Sequence, residues 1–226
     1  MLRPTAILIL LLLVASTTAR ADSVAPPFSH KKLSDNGQYV FIMIAPGTVE
    51  QDMHPWNEET AAKIAAIRQK YSQSGLYKND GSTTPVWTVD WYAYDVDIAN
   101  DGVHLIRHGP WARSTDDEAF SFFANGKLIR SYKVKDLVDI PWFFQQSVSH
   151  FWWSADSKFD DATLRYSVST RDWNTFVFDA TTGQTVSATR WGRVCLWSVV
   201  IACMAVLVLL VKRRRRMHRL TSPTGM

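Results

Sequence analysis

Asp95, Asp97, Asn100, Asp101 and Gly102 form the run D-x-D-x-x-N-D-G. Clustered side-chain oxygens are what calcium takes as ligands. The EF-hand spacing is not met, and no Glu stands at the bidentate offset. The same residues read as two acids on one strand face followed by an Asn-Asp-Gly turn. No metal and no other cofactor is expected. His104 and His108 stand four apart. On a helix they could share zinc, but along a strand that spacing is ~13 Å, too far for one ion. Ser147, Ser149 and His150 supply nucleophile and base types without a G-x-S-x-G elbow. No P-loop, dinucleotide fingerprint or H-E-x-x-H occurs. Asp116-Asp117-Glu118 reads as a solvated acidic turn. The remaining chemistry is aromatic. The chain holds ten Trp, among them Trp142. Trp stacks on sugar rings and cages cations. Trp87, Trp91, Trp111, Trp152 and Trp153 are therefore candidate binding residues. The competing reading is that a β domain without disulfides fills its core with large aromatics.

The elements that must hold these residues are mostly strands. Tyr39 to Ile44 is short, β-branched and aromatic, and Pro46-Gly47 closes it. Asn57 to Tyr71 predicts one amphipathic helix. Asn57 is its cap, Glu58 and Glu59 stand at its positive end, and Ile64, Ile67 and Tyr71 form its apolar stripe. From Val86 onward strand and turn alternate. Strands are expected at Trp87–Tyr92, Val96–Ile98, Val103–Ile106, Phe120–Phe123, Leu128–Val134, Phe151–Trp153, Thr163–Ser169 and Thr175–Phe178. Asn100-Asp101-Gly102 and Asn125-Gly126 are hairpin signals, because few residues take φ > 0.

These turns share a format. Leu33-Ser34-Asp35-Asn36-Gly37-Gln38-Tyr39-Val40 matches Ile98-Ala99-Asn100-Asp101-Gly102-Val103-His104-Leu105, with Phe123 to Ile129 a shorter relative. Phe176 to Val186 reads as the last strand pair of a blade. In this respect the domain resembles the WD-repeat and quinoprotein-type β-propellers, mainly over residues 86–188. The resemblance implies two or three antiparallel blades, an incomplete propeller. The residue pattern leaves open a β-sandwich with one helix. The fold class is mainly β in either case, plus one C-terminal transmembrane helix.

The two ends set the location. Met1 to Ala21 has a positive start, an apolar run from Ala6 to Val14 and an Ala19-Arg20-Ala21 site. This is the pattern of a secretory signal peptide, and cleavage is expected before Asp22. Val194 to Val211 carries no charge and would span about 27 Å as a helix. Trp191 and Trp197 mark its start; Lys212, Arg213, Arg214, Arg215, Arg216 and Arg219 follow it. Basic residues stay on the cytoplasmic side. The expected order is signal 1–21, an extracytoplasmic β-rich domain 22–190, a single span 191–211 and a basic cytoplasmic tail 212–226. The whole chain is +4, but residues 22–193 hold 17 Lys+Arg and 21 Asp+Glu, a net −4. Nucleic acid is therefore excluded as a partner of the outer domain. Cys195 and Cys203 both fall in the span. A disulfide-free outer domain without an Asn-x-Ser/Thr site suits a bacterial cell envelope.

The composition and motifs point to a membrane-anchored binding or scaffold module with a protein or glycan ligand outside. The alternative is an envelope hydrolase or glycan-binding protein using its Trp-rich surface. Neutral residues in place of Lys212 to Arg216 should give mixed or inefficient insertion, each cation contributing ~1 kcal/mol near an anionic surface. Protease accessibility of a C-terminal tag in sealed cells checks this. Digestion of the wild-type tag from outside would reverse the topology.

Overall fold

The computed structural model describes residues 25–53, 57–141, 144 and 150–221 of the chain, the last seven as backbone alone. The expected signal segment, Trp142, Ser147 and Ser149 lie outside the described residues. The first sheet comprises β1 (His30–Leu33), β2 (Tyr39–Met43), β3 (Gly75–Lys78) and β4 (Pro85–Thr88). The middle sheet comprises β5 (Val96–Ile98), β6 (His104–His108), β7 (Glu118–Ala124) and β8 (Lys127–Lys133). The last sheet comprises β9 (Ser154–Asp160), β10 (Arg165–Thr170), β11 (Asn174–Asp179) and β12 (Thr185–Arg190). All three are antiparallel meanders in which spatial order follows chain order. Helices α1 (Val49–Met53) and α2 (Glu58–Lys70) connect β2 to β3. Helix α3 (Val134–Leu137) follows β8, and α4 (Trp191–Thr221) follows β12.

Burial orders these parts into layers. On β2, Val40 and Ile42 join Ile67 and Tyr77 on the α2 side. Phe41 and Met43 join Leu76 and Trp87 from the first sheet against Val96, Ile98, Leu105 and Phe123 of the middle one. Ile106, Phe120 and Phe122 leave the other face of the middle sheet to meet Tyr166, Val168, Phe176 and Phe178 of the last. The order is helix, sheet, sheet, sheet. A strand covered on both faces needs apolar side chains at successive positions. In β7, Ala119 to Phe123 are buried without a break. The last sheet has one open face, and β10 alternates buried and half-buried residues accordingly.

Polar tips tie the layers together. The hairpin tips β1–β2, β5–β6 and β9–β10 meet side by side. Asn36 N donates to Asn100 Oδ1 at 2.8 Å, and Asn100 N donates to Asp161 Oδ1 at 2.6 Å. Asn125 (φ 50°) and Gly126 (φ 75°) turn β7 into β8. A Cβ on Gly126 would collide with the Thr88 carbonyl, so this turn admits glycine alone. Asn57 caps α2, its side chain accepting from Thr60 N at 2.9 Å. Buried Asp52 holds the α1–α2 insert to the sheet by accepting from Ser29 N at 2.8 Å and Arg68 Nε at 2.5 Å.

The sheets do not close into a ring or barrel. Strands at Val96–Ile98, Val103–Ile106, Phe120–Phe123 and Leu128–Val134 stand within a few residues of their expected places. The Trp87–Tyr92 strand stops at Thr88, after which the chain turns away to join the middle sheet. Phe151–Trp153 makes no strand; the polar run Ser154–Asp160 does. Before α4 the described residues hold three helices rather than the one expected, because α1 and α3 are short turns without a sequence period. Helix α4 includes 24 residues, Trp191–Arg214, long and apolar enough to cross a bilayer, and its apolar stretch is not buried in the domain. Lys212, Arg213 and Arg214 are exposed at its far end; the side chains of Arg215 and Arg216 are outside the description.

Phe120 is fully buried among the rings of Phe122, Tyr132, Tyr166 and Phe178 at 5.0–5.5 Å. Phe120→Ala should destabilise the domain by about 3–5 kcal/mol. Urea denaturation checks this; a loss below about 1 kcal/mol would contradict the layered core.

Candidate functional site

The hairpin β5–β6 brings together side chains that are distant in sequence. Its register sets Asp97 opposite Ile106, so Asp97 and His108 are diagonal neighbours on one face. His108 Nε2 lies 2.9 Å from Asp97 Oδ2. Its Nδ1 lies 3.3 Å from the Tyr166 hydroxyl, on the last sheet. Lys32 of β1 closes the cluster, donating to Asp95 at 2.8 Å and to Asp97 at 3.4 Å. Five residues, drawn from all three sheets, thus form one polar chain.

Its electrostatics follow from partial burial. Desolvation alone would raise the Asp97 carboxyl, but His108 and Lys32 outweigh it and hold it below the usual value. Desolvation would lower Lys32, but Asp95 and Asp97 reverse this and hold it above its usual value. Burial pushes the Tyr166 phenol strongly upward. Tyr166 is 2% exposed, so it is a hydrogen-bonding anchor rather than an ionisable nucleophile. Both ring nitrogens of His108 are engaged. The arrangement positions groups, and it leaves no imidazole nitrogen open to an incoming substrate.

A cleft of about 340 Å³ opens beside this chain, lined by Tyr92, Ala93, Tyr94, Arg107, His108, Pro110 and Glu118. Glu118 opens β7 instead of sitting in a solvated turn. It takes a fork from Arg107, with Nε to Oε1 at 3.0 Å and Nη2 to Oε2 at 2.6 Å. Arg107 also lies 4.9 Å from the Trp91 ring and 5.3 Å from the Phe123 ring. Burial pushes the Tyr92 phenol up to about 12. A second cavity, of about 420 Å³, lies between β1 and α2 with Ile64 and Ile67 in its wall. His30 lines it, and burial lowers that imidazole's pKa.

The structure divides the five candidate tryptophans. Trp87 is 8% exposed, and its Nε1 donates to the Gly102 carbonyl at 2.9 Å. Trp91 stacks on Phe41 at 5.9 Å and 24°. Trp153 is half-buried against the core between the middle and last sheets. Trp111 and Trp152 remain exposed, and buried His150 brings them together. The ring centroids of Trp111 and His150 are 4.1 Å apart, and those of His150 and Trp152 are 4.4 Å apart. A backbone bond from Phe151 N to Ala112 O, at 2.9 Å, fixes the two segments. Trp111 follows Pro110, a cleft-lining residue, so the aromatic group begins where the cleft ends.

Asp95 and Asp97 do share a face, but Lys32 and His108 take them. Asp101 caps its own turn, accepting from Val103 N at 2.7 Å and standing 2.6 Å from His104 Nδ1. Among the described residues no three His, Cys, Asp or Glu side chains lie close enough to hold a metal ion. The Asp97–His108 pair was missed from sequence, although counting back from the Asn100-Asp101-Gly102 turn sets that register. Tyr166 and Glu118 had no such signal, since each depends on sheet packing. No protein-family model matches the chain, and no curated protein matches it.

A carboxylate with a depressed folded-state pKa contributes stability above its usual pKa, here 3.8, and loses it as the pH falls below that value. Asp97→Asn should cost roughly 1–3 kcal/mol at neutral pH and flatten the acid limb of stability. Denaturation from neutral to acid pH checks this; parallel curves for both proteins would remove Asp97 from the polar chain.

Proposed function

We propose that this chain is a membrane-anchored binding module of the cell envelope, with its β-rich domain outside and its basic tail in the cytoplasm. The observation that carries the reading is the pair of exposed indoles, Trp111 and Trp152, flanking His150 beside the cleft that holds Arg107 and Glu118. They stand on a domain whose last strand continues into an apolar helix of spanning length. Ring faces held at a surface suit ring-shaped ligands: a sugar, or an aromatic side chain of a protein partner. Arg107 and Glu118 in the adjoining cleft supply donors and acceptors of the kind sugar hydroxyls take. Three successive meanders packed face to face also support propeller-like blades, whose loops are natural recognition surfaces.

The hydrolase alternative rests on Asp97, His108 and Tyr166. A triad needs its base hydrogen-bonded to a nucleophile that a substrate can reach. Here the hydroxyl beside His108 belongs to Tyr166, which is buried out of a substrate's reach, so binding is the reading the geometry favours.

The full chain in nanodiscs should bind members of a glycan array. The double variant Trp111→Ala, Trp152→Ala should lose about tenfold in affinity or more, from two stacking contacts of ~0.5–1.5 kcal/mol each. Its circular dichroism should be unchanged. Array binding that survives the double variant would move the ligand elsewhere.

A further inference from the structure

We propose that the lower end of the last sheet rests against lipid headgroups, with Trp173 seated in the interface beside Trp191. This rests on reading α4 as a membrane span. β12 ends at Arg190 and α4 begins at Trp191, with no residue between them. The first helical turn is fixed to the domain. Gly192 N donates to Asn174 Oδ1 at 3.0 Å. Arg190 and Arg193 reach Asp139 Oδ1 at 3.2 and 3.0 Å. The Asp139 side chain is 9% exposed, and its backbone N–H donates to Asp172 Oδ2 at 2.6 Å. Asp172 and Asn174 are fully buried. A Cβ on Gly192 would stand 2.6 Å from the Asp172 carbonyl oxygen, so the helix start and the β10–β11 turn touch.

That contact sets the height of the turn. Gly192 lies two residues before Val194, where the uncharged run begins, about 3 Å along the axis. Trp173 sits in the turn with φ 64° and is 55% exposed. Glycine or asparagine suits such a backbone better. A bulky ring held there in view of solvent matches the interface, where an indole keeps its apolar body in lipid and its N–H in water. Trp191 and Trp197, 56% and 60% exposed, stand on the helix at the same end. The occupant of this surface is therefore the bilayer that the helix enters.

The test uses the full chain in nanodiscs, with Cys195 and Cys203 replaced by Ala. Single cysteines are introduced by Trp173→Cys, Arg171→Cys, Ala162→Cys and Val206→Cys and labelled with bimane. Ala162 lies at the opposite end of β10, ~20 Å away along the strand. Lipids spin-labelled at the headgroup should quench the labels at 173 and 171 and leave 162 bright. Lipids labelled deep in the acyl chain should quench 206. Bright labels at both 173 and 171 with 206 quenched would overturn the seating while leaving the span intact. A label at 206 untouched by deep quenchers would overturn the span, and the seating with it.

Discussion

The central strands of the middle sheet, β6 and β7, are covered on both faces. The first sheet covers one side and the last sheet covers the other. A sheet covered on both faces is apolar at nearly every central position, and in β7 Ser121 is the one polar residue between Ala119 and Phe123. The edge strand β8 shows the boundary: Lys127, Arg130 and Lys133 line a rim that pairs with nothing further. The polar chain accordingly uses the edge strands β1 and β5 and the ends of β6 and β10, and the aromatic pair lies in connections outside the strands.

That constraint explains what could be read in advance. Turn chemistry is local, so Asn36-Gly37, Asn100-Asp101-Gly102 and Asn125-Gly126 announced their hairpins. The helix cap at Asn57 was equally local. Membership of a sheet is not. The polar strands β1 and β9 lack an apolar signal because they are edge strands, ordered by their partners. The stretch Phe151–Trp153 carried the strongest strand-like residues of its region, yet it lies in a connection that caps the core. Hydrophobicity there reports burial rather than pairing.

The candidate site was legible to the same degree. The acids Asp95 and Asp97 were visible as a face, and Trp111 and Trp152 as aromatics that could bind. Their partners were not visible. Lys32 is 63 residues from Asp95, and Tyr166 is 58 residues from His108. Pairings across that distance are set by how layers stack, which no spacing rule records. The packing that hides Trp87 and Trp91 is the same packing that makes Trp111 and Trp152 the surface pair.

The direct passage from β12 to α4 has a mechanical meaning. A flexible tether of n residues lets a domain sweep a radius of roughly 5–6 Å × √n. Here n is zero, so the domain has height but no reach. In the proposed membrane setting it turns and tilts only as its helix does. A partner must come to it at one fixed altitude and one fixed aspect. Any twist that a ligand applies to the last sheet passes into the helix axis undiminished, as a key turns a shaft.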